Sequence, residues 1–349
     1  MKRSAFLFLA AWLLTGCAST RAGAAEHYTP VALRATPTVQ DSITVTEQLS
    51  TASPTVAPSP TSLYTPDVTS TPLTRVSTPT LTPLEPQPPA SPLPSPTPRP
   101  SPSPEEWKTW PVVPALSQTA KAIFLKGQAL GRDPHRFSKV GDCQNITTYF
   151  LSHFEDPDLY RLGEYARLQP AIDWFMGSYA RESLAVKGGM NVAAVLSPLR
   201  ANPDYCSEEE SPLACEFRLY NPGFAIISME EAWSGEPEKY GKYMRQVIEY
   251  TLEQGILPVV ATKADNLEGG DQINGIIAQL AWEYDIPLWN FWAAVQPLNG
   301  HGLAEDGFHL THGNNFFFDV PEKLRTGYTL RNLTALQVID AVWRGLTDR

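Results

Sequence analysis

Beyond residue 136 the chain alternates short apolar runs with stretches in which apolar residues recur every three or four positions. RFSKVGD (136–142) predicts a short strand ending in a turn. MNVAAVLS (190–197) reads as either a strand or a buried helix, which periodicity cannot separate in so short a run. GFAIIS (223–228) and ILPVVAT (256–262) read as strands buried on both faces, and IPLWNF (286–291) as a further strand. Tyr240, Met244, Val247, Ile248 and Leu252 share a helical face, with Gly255 as the stop. Ile273, Ile276, Ile277 and Leu280 mark a second amphipathic helix, and NLTALQVIDAVWRGL (332–346) predicts a closing one. Buried strands alternating with helices predict an α/β fold whose mostly parallel sheet is covered on both faces. In such sheets, sites form beyond the carboxyl ends of the strands.

The pattern is absent upstream. Nineteen of the 33 prolines lie between Glu26 and Glu106, among many Thr and Ser. Too few apolar residues occur there to offset the entropy of ordering a chain, so this stretch predicts a disordered tether. Its end, PPASPLPSPTPRPSPSPEE, favours polyproline II at about 3.1 Å per residue, which gives the tether a reach on the order of 200 Å. What remains of the 349 residues, 107–349, suits one large domain. The net charge of −10 comes without a dense Lys/Arg patch, which argues against a nucleic-acid partner.

The first residues carry a different signal. Lys2 and Arg3 precede an apolar run from Phe6 to Leu14, too short to span a bilayer as a stable helix. This is the plan of a secretory signal, here residues 1–16. The run ends in Leu14-Thr15-Gly16-Cys17, which resembles the lipobox of bacterial lipoproteins. That resemblance implies a lipid on Cys17, a tether over 17–106, and a domain held at the extracytoplasmic face of a cell membrane. Three further cysteines remain. Cys206 and Cys215 lie nine residues apart in a polar segment, and export predicts that they close a disulfide. Cys143 is then left over as a reactive-thiol candidate.

The chemistry-bearing residues sit at the two ends of the α/β region. Gly141-Asp142-Cys143 follows the first predicted strand, and Asp306-Gly307-Phe308-His309 lies near the C-terminus. A thiol, an imidazole and a carboxylate are the parts of a nucleophile–base–orienter triad. Over most of 136–349 the chain resembles the SGNH/GDSL hydrolase family, whose members carry Gly-Asp-Ser after the first strand and Asp-x-x-His near the C-terminus. The resemblance implies a three-layer α/β/α, flavodoxin-like fold and ester hydrolysis. It makes Cys143 the nucleophile in place of serine, His309 the base and Asp306 its orienter. The backbone N–H of Cys143 and a glycine of VKGGMN, Gly188 or preferably Gly189, would form the oxyanion hole. Lipid anchoring adds the expectation of ester or acetyl substrates on surface or cell-wall glycans.

Two departures from the family pattern matter differently. Cysteine for serine keeps the nucleophile logic, because thiolates attack carbonyls readily. At the position of the family's oxyanion asparagine stands Glu230, and an ionised carboxylate accepts hydrogen bonds without donating any. Losing one oxyanion donor costs roughly 100- to 1000-fold in rate. Glu230 therefore leaves three outcomes: it is protonated by burial, it points away, or ester hydrolysis is lost and the cleft only binds a glycan or acyl ligand. No cofactor motif occurs, and Cys143, His309, Asp142 and Glu230 lack the tight spacing of metal ligands. No C-x-x-C accompanies Cys143, which argues against thiol exchange. His135, His153, His301 and His312 read as surface or loop residues, with a pocket-lining role for His312, close to His309, as the alternative. Trp233, Trp289, Phe291 and Trp292 read as core with a sugar platform as the alternative. Lys263 and Asp265 read as a cleft rim or a surface ion pair.

Overall fold

The computed structural model describes residues 102–229, 236–313 and 315–347. The signal segment, Cys17 and most of the tether lie outside these residues, as do Glu230 and Trp233. The strands are β1 (Asp133–Gly141), β2 (Tyr160–Arg161), β3 (Pro222–Ser228), β4 (Leu257–Ala261), β5 (Leu288–Trp289) and β6 (Phe316–Phe317). The helices are α1 (Gln118–Ala129), α2 (Gln169–Trp174), α3 (Pro212–Tyr220), α4 (Pro237–Glu253), α5 (Gln272–Tyr284), α6 (Phe291–Val295) and α7 (Gly327–Thr347). The main sheet has the order β1-β3-β4-β5 and every pairing in it is parallel. β2 and β6 form a separate parallel pair.

All seven residues of β3 are buried, as expected of a strand covered on both faces. Its side chains alternate between two cores. Phe224 and Ile226 join the cluster that α2, α6 and α7 complete, through residues such as Ile172, Phe291, Leu336 and Ile339. Ala225 and Ile227 join the opposite cluster with Leu213 and Phe217 of α3, Met244 and Ile248 of α4, and Ile277 of α5. The result is the three-layer α/β/α arrangement, with a mostly parallel sheet between two layers of helices.

Several boundaries differ from the sequence reading, each for a local reason. The 190–197 run is neither strand nor helix: it is a chain of turns with one short 3₁₀ segment at Ala194–Leu196. The Asn191 side chain accepts from the amides of Ala193 and Ala194 and offers the backbone a turn in place of a ladder. Met190, Val192 and Val195 are nevertheless buried, so apolarity there reports packing and not periodic structure. The predicted strand at 286–291 is cut to two residues because Asn290 accepts from Ala293 N at 3.2 Å and starts α6. Helix α3 was not anticipated: the polar segment read only as a disulfide loop contains its first turn, capped by Ser211.

Candidate functional site

β1 delivers its last residue, Gly141, opposite Ser228 of β3, and the chain then turns sharply through Cys143–Asn145. Asp142, fully buried, shapes the turn. Its Oδ1 accepts from Gln144 N at 2.9 Å and its carbonyl accepts from Asn145 N at 3.0 Å. The Asn145 amide donates to Ser228 O at 2.7 Å, tying the turn to the end of the neighbouring strand. Cys143 is left half-buried at the carboxyl edge of the sheet, outside any disulfide.

The second half arrives on the loop between Gly302 and α7. The Asp306 carboxylate accepts from the backbone amides of Phe308 (3.0 Å) and His309 (2.9 Å). These bonds fold the Asp-x-x-His segment onto itself and aim its imidazole. Asp306 Oδ2 lies 2.6 Å from His309 Nδ1. These three hydrogen bonds, led by the one from His309, hold the Asp306 carboxyl down to about 2. An Nδ1–H that donates to Asp306 leaves Nε2 as the acceptor on the far side of the ring. Nε2 faces Cys143 Sγ at 3.6 Å. The Gln144 amide donates to Phe308 O at 2.9 Å and ties the two loops together next to that contact. Residues 143 and 309, far apart in the chain, thus meet at one edge of the sheet.

Gly188 lies near the same turn, where a Cβ would stand 3.8 Å from Ile146 Cδ1. Gly141 forms a parallel bridge with Val186, Gly141 N donates to Ala185 O, and Lys187 N donates to Gly141 O. The segment 185–187 therefore runs alongside the end of β1, and Gly188 and Gly189 follow it in the chain. Gly189 has φ +73°, open to glycine at little cost, and no atom crowds the position where a Cβ would stand. Glu230 lies outside the described residues.

Arg331, Asn332 and Gln144 were not singled out from the sequence. Arg331 of α7 is buried, and its Nη2 donates to Asn145 Oδ1 (3.1 Å) and Ser228 Oγ (2.7 Å). Its guanidinium lies 4.7 to 5.2 Å from the ring centres of Phe150, Trp289 and Phe291. Asn332 accepts from Leu151 N at 2.6 Å. In sequence, an arginine within the apolar face of a helix was the available signal.

The other candidates separate from the site. Trp289 and Phe291 are fully buried and belong to the core, not to a sugar platform. Lys263 and Asp265 form no surface pair. The Lys263 ammonium is buried between Asp265 Oδ1 and Glu268 Oε2, each at 2.6 Å. His312 stacks on Tyr328, and its ring lies 5.1 Å from that of Tyr149. Cys206 and Cys215 are joined in a disulfide. Among the described residues no three of His, Cys, Asp and Glu converge as a metal ion would require.

No family model matches the chain, and no curated protein is similar to it in sequence. Among solved structures, it is similar to a GDSL-like lipase from Bacteroides thetaiotaomicron, with a TM-score of 0.34 and 16% identity over 63% of this chain and 97% of that one. A likeness of that size passes neither an activity nor a substrate to this chain.

Proposed function

We propose that the protein is an extracytoplasmic, lipid-anchored hydrolase of the SGNH type that removes ester-linked acyl or acetyl groups from surface or cell-wall glycans, with Cys143 as nucleophile. The observation that carries this reading is the run of contacts from Cys143 Sγ to His309 Nε2 (3.6 Å) and from His309 Nδ1 to Asp306 (2.6 Å). His309 takes the thiol proton as Sγ attacks the carbonyl carbon. The tetrahedral intermediate then collapses to a thioester on Cys143, and His309 returns the proton to the departing sugar hydroxyl. A water, deprotonated by His309, releases the carboxylic acid and restores the thiol. Asp306, ionised down to about pH 2, holds the tautomer and stabilises the imidazolium throughout. Developing negative charge on the carbonyl oxygen falls to the backbone N–H groups of Cys143 and Gly189. The lipid on Cys17 and the proline-rich tether account for a domain working at wall or surface level.

A second reading keeps the cleft and drops the turnover: a glycan- or acyl-binding domain. The glutamate at the position of the family's oxyanion asparagine favours it. One experiment separates the two. The full chain is assayed on a small acetyl ester and on an acetylated glycan, beside Cys143→Ala and Asp306→Asn. Hydrolysis predicts that Cys143→Ala loses at least about 1000-fold in kcat and Asp306→Asn up to about 10,000-fold. It also predicts that mass spectrometry finds an acyl group on Cys143 after rapid quenching. Unchanged turnover in Cys143→Ala rejects Cys143 as nucleophile. Absence of turnover, with glycan binding that survives Cys143→Ala and His309→Ala together, establishes the binding reading.

A further inference from the structure

A cavity of about 680 Å³ opens along residues 181–187, whose Val186 bridges the end of β1, within the roughly 300–1,000 Å³ usual for ligand sites. A smaller recess of about 230 Å³, lined by Ile146 and Gly188, shares Glu182, Ser183, Val186 and Lys187 with it. The two thus adjoin along residues 182–188, a stretch whose Val186 bridges Gly141 at the end of β1. The smaller recess reaches Ile146, three residues past Cys143, and the larger one opens as a wide chamber of mixed polar and apolar lining.

We propose that this chamber holds the anionic oligosaccharide portion of the ester substrate; the assignment rests on the hydrolase reading above. Its charge is the first reason. With the Arg181 charge met by Glu216, Lys187 and Arg200 face the single further carboxylate of Glu182, a local positive excess on a chain whose net charge is −10. Arg181 is fixed in the wall, paired with buried Glu216 and stacked 3.6 Å from the Tyr220 ring centre. Lys187 and Arg200 are exposed and able to meet an anion. Shape is the second reason. The Tyr205 ring, 63% exposed, offers a flat apolar face with a hydroxyl at its edge, which matches the mixed faces of a sugar ring better than a lipid tail. The covalent frame is the third. One wall is the segment 200–205 and the other includes Leu219 and Tyr220 of α3, and the Cys206–Cys215 disulfide joins those two pieces of chain. Arg218 reinforces the join by donating to Glu210 and to Tyr205 O.

The test measures binding on the full chain carrying Cys143→Ala, so that turnover plays no part. The probes are a uronic-acid hexamer, a sulfated glucose hexamer and the unsubstituted glucose hexamer. At least one anionic hexamer is expected to bind about tenfold more tightly than the neutral one, with the preference falling as salt rises. Whichever binds more tightly names the anion recognised. Lys187→Glu combined with Arg200→Glu, both surface changes checked for folding by circular dichroism, should abolish the preference. Cys206→Ser combined with Cys215→Ser should weaken binding of the anionic hexamer. Equal binding of anionic and neutral hexamers, or a preference that survives the charge reversal, overturns the assignment. Acetate release from an acetylated uronic-acid hexamer by the unsubstituted chain is scored separately. Binding without release refutes the hydrolase reading, whereas release without anion preference refutes the chamber.

Discussion

The Lys139 ammonium sits inside the fold on β1, 1% exposed, with Tyr179 O as acceptor at 2.7 Å and Thr147 Oγ1 at 3.4 Å. Burial, helped by the nearby Arg181 cation and opposed by Glu216, pushes its pKa down to about 7. In the unfolded chain the same amine holds its proton to about pH 10.4. Between pH 7 and 10 the unfolded state therefore binds more protons, and rising pH favours the fold at this residue. Below pH 7 both states are charged and the desolvation cost is felt in full. Lys139→Met should accordingly be most favourable relative to the native chain near pH 6.5, and that advantage should shrink by pH 9.5. Urea unfolding at the two pH values checks this, and a difference that stays constant refutes it. Cys143 and His309 belong to the same scale. Residue types and family spacing singled them out from sequence, whereas the partners of Gln144 and Arg331 lie 103 to 186 positions away and no local pattern encodes them.

At the scale of elements, the turn after β1 is built against the end of β3 with no room to spare. A Cβ on Gly141 would collide with the Asn145 amide and stand 2.5 Å from Ser228 O. Gly141→Ala should therefore break the Asn145–Ser228 bond and cost about 1–3 kcal/mol of stability. It should also separate Cys143 from His309, so that ester turnover falls more steeply than the fraction of folded protein. Parallel measurements of kcat and of the urea midpoint distinguish this from simple unfolding. Helix α7 acts on both halves of the site. Its Arg331 and Asn332 hold the nucleophile loop, while Gly327 N donates to Thr311 Oγ1 and Tyr328 N to Thr311 O just beyond His309. The helix itself was legible from its apolar spacing. Its first turn and its grip on two loops were not, because those depend on polar contacts to distant chain.

For the whole molecule, the Cys206–Cys215 disulfide spans a short loop and ties α3 to the segment before it. The chain-entropy account gives such a loop about 2–3 kcal/mol of stability. Reduction should lower the melting temperature by several degrees. Calorimetry with and without reductant measures it, and an unchanged Tm rejects a stabilising role. The parallel sheet, the helices α4, α5 and α7 that cover part of it, the cysteine pair and both chemical segments could be read from the chain, whereas α1, α2, α3 and α6 were not. Burial on two faces forces continuous apolar runs, and a short disulfide or an Asp-x-x-His segment is local. The extent of β5, the turns at 190–197 and the buried state of Lys263 escaped that reading, because a single Asn cap or a pair of carboxylates overrides propensity once the surroundings are in place. The approach of Cys143 to His309 is likewise a property of tertiary structure alone. It arises because a parallel sheet carries the carboxyl ends of its strands, and the loops that follow them, to one edge, where chain separation no longer sets distance.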